Sequence, residues 1–431
     1  MGHMGARAVD ASQVADDSHL SHRSHRSHSS HRYSWSPLLT GTAAERALAV
    51  AHELADTLED TPVTDAAISA GNAGIALFLA YAGRENAARQ HLADAARVMA
   101  STVIGPSLYY GFPGIGWASL LLRRHGVITS DDAPFAKIDA TLAAFLDRPH
   151  WPWHVDLVSG VAGLAVYALA RLPDAQAERC LELIVRALEE TSQETAEGIV
   201  WFTPPSLLTD EVLKKAPQGY FDYGVAHGLP GVIAALAGSV RAGVATGPAM
   251  RLLEGAVRTL RAVRLPSGNF PGLVGTGLDT RVARLAWCYG APGIAVTLLR
   301  ASEAAGREDW REEALDAGRW AARRSDEDSG VVDAGFCHGA AGVAHMFNVL
   351  YQATGEPLFA EAARHWLERT LDLRVAGRGL AGYGAFAPTA PAGSQWVAEP
   401  GMADGIAGIG ATLVAATTHA PPEWDAMFLL R

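Results

Sequence analysis

Lysine is nearly absent: Lys137, Lys214 and Lys215 are the only three in 431 residues, and arginine supplies the other basic side chains. Lys and Arg together number 35 against 46 Asp and Glu, a formal charge of −11 at pH 7. No global basic field exists to gather nucleic acid, so that class of partner is excluded. Cysteine is scarce as well. Cys180, Cys288 and Cys337 are an odd number and too few for a disulfide framework, which points to a reducing cytoplasm where thiols serve metal binding or catalysis. No apolar run reaches the roughly 18 uninterrupted residues of a membrane span. The first 36 residues, rich in Ser, His, Arg and Asp, also lack the apolar stretch of a signal peptide.

That N-terminal stretch has its own pattern. His19, His22, His25, His28 and His31 recur every third residue. Such a tract can catch a transition metal weakly, but this spacing builds no defined site and nothing nearby would bury one. The expectation is a disordered tail over 1–36 and one folded domain over 37–431.

From residue 37 the chain repeats itself. Seven Gly-x-x-Gly elements each precede an apolar helical run: Gly71/Gly74, Gly111/Gly114, Gly160/Gly163, Gly228/Gly231, Gly290/Gly293, Gly339/Gly342 and Gly405/Gly408. The runs behind them are apolar nearly all round, as helices buried on both faces must be. Between them lie amphipathic stretches such as Glu45 to Leu58, which read as outer helices with one wet face. No sustained alternation demands a sheet. The first glycine is expected to take a backbone conformation closed to other residues, and the second to let inner helices approach closely. Seven hairpins with buried inner helices would expose two apolar ends as an open stack, and closing them into a ring removes the ends. The predicted fold is therefore all-α, an α/α toroid (barrel) of seven helical hairpins. An insertion of irregular or short β structure is expected near 197–222, where Pro204, Pro205 and Pro217 fall among aromatics.

In a ring, residues just before each first glycine meet around one mouth. One position before it stand Ala70, Tyr110, Ser159, His227, Tyr289, His338 and Asp404; two positions before it, Cys288 and Cys337 fall in adjacent repeats. Two thiolates and an imidazole from Cys288, Cys337 and His338 make a three-ligand zinc site with its fourth position open, as in catalytic zinc sites. Helix N-termini nearby favour the thiolate form. Cys180 lies on an ordinary amphipathic stretch and reads as packing.

Phe336-Cys337-His338-Gly339, Trp287-Cys288-Tyr289-Gly290 and Ala226-His227-Gly228-Leu229-Pro230-Gly231, in that setting of seven glycine turns, resemble the motifs of the lanthionine synthetase C-like family over roughly residues 40–431. The resemblance implies one zinc ion per chain. It also implies a reaction in which cysteine thiols of a dehydrated precursor peptide add to dehydroalanine or dehydrobutyrine, forming lanthionine or methyllanthionine rings. By the same resemblance His227 is the catalytic histidine, the acid that protonates the enolate. Asp156 orients or protonates an imidazole, Arg284 steadies the enolate or the aspartate, and Tyr289 stands beside the zinc cysteine. The chemistry suits the residues: a free thiol titrates near about 8.5, and a metal ion makes it thiolate at neutral pH.

The expected partners are a precursor peptide carrying its leader and a separate dehydratase, since the length leaves no room for a dehydratase or kinase portion. The expected location is the cytoplasm, free or peripheral to the membrane within a biosynthetic complex. Three other functions compete. Glutathione could be added to dehydroamino acids in the same fold, although the arginine-rich, GC-rich composition favours peptide cyclisation. A non-catalytic precursor-binding module would leave the Cys/Cys/His set without a use. A toroidal glycosidase could be built only by pairing Asp156 with Asp404, and would leave the thiols unexplained.

Overall fold

The computed structural model describes residues 35–278, 283–387 and 395–431. The tail reading falls outside these residues except at its end. Trp35 is buried and its indole N–H donates to the Ala415 carbonyl at 2.7 Å, while the Leu38 and Leu39 amides both donate to Ala416. The packed segment thus includes Trp35, and it clasps the C-terminal helix.

Among the described residues sixteen α-helices follow. They are α1 (Gly41–Glu59), α2 (Asn72–Tyr81), α3 (Glu85–Ser101), α4 (Phe112–Arg124), α5 (Ala133–Leu146), α6 (Val161–Arg171), α7 (Ala175–Thr191) and the short α8 (Asp210–Lys215). After these come α9 (Leu229–Ala242), α10 (Thr246–Ala262), α11 (Ala291–Ala305), α12 (Glu308–Ala322), the short α13 (Asp326–Ser329), α14 (Ala340–Thr354), α15 (Pro357–Asp372) and α16 (Ile406–Thr417). The helices that follow the glycine turns, α2, α4, α6, α9, α11, α14 and α16, pack each on the next, and α16 returns to α2. The ring is closed, an α/α toroid. In α2 every residue from Asn72 to Leu79 is buried, whereas in α3 only Ala88, His91, Leu92 and Ala95 are. That contrast is the expected difference between an inner and an outer helix. The inner helices α2, α6, α11 and α14 pack mainly on the outer helix after each, whereas α4 and α9 pack more on inner neighbours; α16 has no outer helix after it and takes α1. The two ends of the domain therefore complete one hairpin.

Seven short loops enter the inner helices, and backbone bonds run from one to the next. Val158 N donates to Ala226 O, Val225 N and Ala226 N to Cys288 O, Trp287 N and Cys288 N to Cys337 O, and Phe336 N and Cys337 N to Ala403 O. Ala403 N then donates to Ser69 O, and Ser69 N to Tyr109 O. All seven turns are thereby tied into one rim.

Glycine is needed here for space more than for conformation. Gly290 alone among the first glycines has a positive φ, +107°; Gly71, Gly111, Gly160, Gly228, Gly339 and Gly405 lie between −105° and −137°. The expected special conformation is thus confined to one turn. A Cβ on Gly114 would stand 2.0 Å from the Leu108 carbonyl oxygen and 2.9 Å from Ile68 Cγ2 in the preceding turn. The other second glycines meet the carbonyl six residues upstream in the same way.

Among the described residues, strands are two or three residues long. At the expected insertion, β2 (Ile199–Val200) pairs with β1 (Gln193–Glu194) just before it, and β3 (Phe202–Thr203) and β4 (Tyr220–Asp222) form an antiparallel sheet with β5 (Leu273–Val274) from a later segment. The C-terminal segment was not foreseen. Beyond α16 a 3-10 turn, Glu423–Phe428, fills the centre of the ring behind the turns. Phe428 stacks on Phe336 with centroids 4.1 Å apart and meets Trp287 edge-on at 4.9 Å. The Trp287 indole N–H donates to the Phe428 carbonyl, and Asp425, fully buried, pairs with Arg431 and His345.

Candidate metal centre and neighbouring acid pair

Cys288 and Cys337 hold the same place in turns five and six, and the Cys288 amide donates to the Cys337 carbonyl. The repeat therefore sets the two thiols side by side. Their sulfurs and one imidazole nitrogen of His338 lie within 4.8 Å of one another, a group that could hold a metal ion. The donor set fits zinc in number and chemistry. The neighbouring Cys337 thiol, against the penalty of burial, holds the Cys288 thiol well below its usual range, and the His338 and Arg284 cations add to the effect. Cys337 is correspondingly pushed up by the nearby Cys288 and by burial. Burial disfavours the His338 cation, but the Asp333 carboxylate and the Cys288 thiolate outweigh it and lift the imidazole to about 10. The site is built to carry negative charge on sulfur beside a cation.

His338 lies between two carboxylates. Its Nε2 is 3.6 Å from Asp333 Oδ2 and its Nδ1 is 3.4 Å from Asp404 Oδ1. Asp333 was not singled out from the sequence. Its Oδ1 accepts the Gly335 amide and its Oδ2 the Phe386 amide, so it is fixed by backbone and turned toward His338. A carboxylate behind a histidine ligand of this kind fixes ring orientation and basicity.

The next turns along the rim bring Asp156 and His227 together. His227 Nδ1 stands 3.0 Å from Asp156 Oδ2; the carboxylate is 5% exposed and the imidazole 45%. Burial opposes the imidazolium, but the hydrogen bond and charge of Asp156 prevail and raise the His227 pKa above its ordinary value. Asp156 Oδ1 accepts the Ser159 amide, so one oxygen holds its own turn and the other holds the histidine. His154 takes no such part; its carbonyl accepts the Val161 amide and the Trp151 indole N–H.

Tyr289 follows Cys288, and its hydroxyl donates to Asp222 Oδ2 at 2.8 Å. Asp222 is the second residue missed in the sequence. Burial pushes its carboxyl up to about 6, although the Gly224 amide and the Tyr289 hydroxyl both support the charged form. A signal for both omissions existed. Asp222 and Asp333 each stand six residues before a first glycine in an Asp-x-Gly sequence, and in each the Oδ1 accepts the amide two residues on. Arg284 holds the same position in turn five. It is exposed, and its positive charge favours the Cys288 thiolate. Cys180 stands apart, buried on α7, with burial pushing its thiol up to about 12.

The comparisons with known proteins agree with this geometry. A solved nisin cyclase superposes with a TM-score of 0.68 over 90% of this chain and 96% of that one, at 18% identity, which is a likeness of fold. The zebrafish (Danio rerio) protein named glutathione S-transferase LANCL1 is 34% identical over 136 residues, and the Arabidopsis thaliana LanC-like protein GCL1 is 36% identical over 115 residues. These matches cover 31% and 26% of this chain and 31% and 25% of the relatives, so each spans under a third of the curated protein. The family profile described as lanthionine synthetase C-like protein matches residues 62–429. With that profile running through all seven turns, the chain belongs to the lanthionine synthetase C-like family.

Proposed function

We propose that this chain is a zinc-dependent lanthipeptide cyclase, adding cysteine thiols to dehydroalanine or dehydrobutyrine in a dehydrated precursor peptide. The observation that carries the reading is the Cys288, Cys337 and His338 group, with donor atoms within 4.8 Å, one turn from the His227–Asp156 pair. One zinc ion held by these three residues supplies the positive charge that makes a thiol of pKa about 8.5 nucleophilic at neutral pH.

The side chains divide the remaining work. Addition of sulfur to the alkene leaves an enolate that needs a proton at its α-carbon. His227 holds that proton, since Asp156 raises its pKa and fixes Nδ1, leaving the exposed edge of the ring to deliver it. Arg284, exposed at the same mouth, offers a guanidinium to the enolate oxygen. Tyr289 donates a hydrogen bond to Asp222, so its oxygen keeps lone pairs with which to accept one from the substrate. The supplier of substrate would be a separate dehydratase acting on a leader-bearing precursor, in the reducing cytoplasm, free or at the membrane surface. Among the described residues no helix is long and apolar enough to cross a membrane.

The name of the zebrafish relative keeps glutathione addition as the second reading. The deciding experiment incubates the metal-analysed protein with a dehydrated peptide rich in Cys, with and without added glutathione, and counts unreacted thiols by alkylation and mass spectrometry. About one zinc per chain with loss of thiols and no change in peptide mass supports ring closure. A peptide that gains the mass of added glutathione supports the second reading, and a metal-free protein that leaves every thiol free defeats both.

A further inference from the structure

The small sheet at the insertion ends at the reactive groups. Asp222 is the last residue of β4 and stands opposite Leu273 of β5, and the Tyr223 amide donates to the Gly272 carbonyl. His227 follows five residues later. The strand therefore holds one carboxylate of turn four against turn five, which carries Arg284, Cys288 and Tyr289.

The Tyr289 ring is seated by the same pieces. A Cβ on Gly224 would stand 2.5 Å from Tyr289 Cε1 and 2.6 Å from the Cys288 carbonyl oxygen, and one on Gly272 would stand 3.5 Å from Tyr289 Cδ1. Glycine at 224 lets the ring lie against the backbone of turn four, and the hydroxyl then reaches Asp222 Oδ2 at 2.8 Å. Asp222 has no freedom to answer in another way. It is 4% exposed, and its Oδ1 is held by the Gly224 amide at 2.7 Å, so Oδ2 is the oxygen left for the phenol. Above its pKa of about 6 the carboxylate has no proton to give, and the phenol must be the donor.

We infer that Asp222 is a positioning residue for the addition reaction: by taking the Tyr289 O–H as its hydrogen-bond donor, it leaves the phenol oxygen able only to accept a hydrogen bond from the peptide. This deepens the cyclase reading and rests on it. Turn five then meets the substrate with one acceptor, Tyr289, and one donor, Arg284. Backbone N–H groups suit the first, and the carbonyl that becomes the enolate suits the second. The two side chains sort the polar edges of the peptide and so set which way the alkene faces. The charge of Asp222 also helps His227 keep its proton, a separate effect that does not pass through Tyr289.

Asp222→Asn reverses the polarity with little change of shape. Its oxygen stays with the Gly224 amide, its NH2 replaces Oδ2 and donates to the phenol oxygen, and the phenol proton turns toward the mouth. The test is a double-mutant cycle of Asp222→Asn and Tyr289→Phe on the full-length zinc-loaded protein, read as kcat/KM for ring closure in a dehydrated peptide. Asp222→Asn should cost about tenfold or more with Tyr289 present and about threefold or less beside Tyr289→Phe, the remainder being the share exerted on His227. An equal cost in both backgrounds overturns the inference. A second readout needs no turnover. With carbon-13 at Cζ of every tyrosine, the resonance lost in Tyr289→Phe belongs to Tyr289. Asp222→Asn should move it upfield, as a phenol does when it stops donating to a carboxylate. An unmoved resonance, with melting temperature and zinc content unchanged, overturns the inference as well. If Asp222→Asn fails to fold, the parent protein decides: its Tyr289 resonance should lie downfield of free tyrosine's, and a position at or upfield of it overturns the inference. A parent protein that closes no rings defeats the cyclase reading, and the resonance then still decides whether Asp222 sets the polarity of the phenol.

Discussion

Cys337 illustrates how much one atom matters at the residue scale. Its sulfur is one of three donors, and removing it leaves two, too few for a structural or catalytic zinc site. Cys288→Ala, Cys337→Ala and His338→Ala should each strip zinc and stop ring closure, while Cys180→Ala should do neither; metal analysis of the four purified proteins checks this. His227 is predicted to behave differently. It is bonded to Asp156 and stands outside the donor group, so His227→Ala should keep its zinc and lose ring formation by about 100-fold or more. His227→Asn should do the same. Zinc loss in either would make it a ligand. The pH profile follows from the same contact. The folded pKa of His227 is raised, so its acid form persists to higher pH than a free imidazole's, and the acid-dependent limb should fall only above about pH 6.5. By linkage, the contribution of the His227–Asp156 bond to stability is complete below about pH 6.5 and is lost as pH rises through the raised value. In Asp156→Asn the falling limb of the rate profile should move to lower pH.

At the scale of elements, the turn-to-helix junctions set the tolerances. Gly114→Ala would place a methyl 2.0 Å from the Leu108 carbonyl, which is backbone and cannot step aside cheaply. Overpacking of this kind should cost about 3 kcal/mol or more. Gly247→Ala, on α10 with nothing within 4 Å of the new methyl, should be neutral or gain up to about 1 kcal/mol. Urea unfolding of the pair separates crowding from a general dislike of changing glycine. A second element-level contact joins α5 to α6. Arg171 donates to Asp139 from Nε and Nη2, both side chains are buried, and the Tyr167 hydroxyl donates to the same carboxylate. Arg171→Met would leave Asp139 buried without its cation and should cost about 3–5 kcal/mol in the same measurement.

At the scale of the whole molecule, closure and plugging make one object of seven hairpins. The ends meet through α1 and α16, and the C-terminal aromatics fill the centre. Phe428 lies against Trp287 and Phe336, the residues immediately before Cys288 and Cys337. Phe428→Ala should therefore cost about 3–5 kcal/mol and also weaken zinc retention against a chelator. Trp310→Ala, equally buried but on outer helix α12, should cost about as much while retaining zinc. Equal zinc loss in both variants would mean that the metal responds to stability alone.

The repeat was legible because it is written locally. Glycine pairs, apolar runs and wet-faced runs alternate along the chain, and period alone separates inner from outer helices. Matched positions in adjacent repeats also brought Cys288, Cys337 and His338 together before any coordinate did, because a rotational repeat makes equal offsets neighbours. The sequence did not disclose which oxygen of a carboxylate faces the site. Asp222 and Asp333 look like ordinary turn aspartates, and only the fold shows their second oxygens aimed at Tyr289 and the His338 ring. Nor could local pattern assign the glycines' role, since crowding at Gly114 comes from atoms in two turns 40 residues apart. The C-terminal plug was hidden for the same reason: its partners in the ring lie 80 to 342 residues away, and burial at that range leaves no periodic mark. Local chemistry and repetition thus determined the elements and the grouping of Cys288, Cys337 and His338. Closure of the ring decided which of their faces, oxygens and ends would meet.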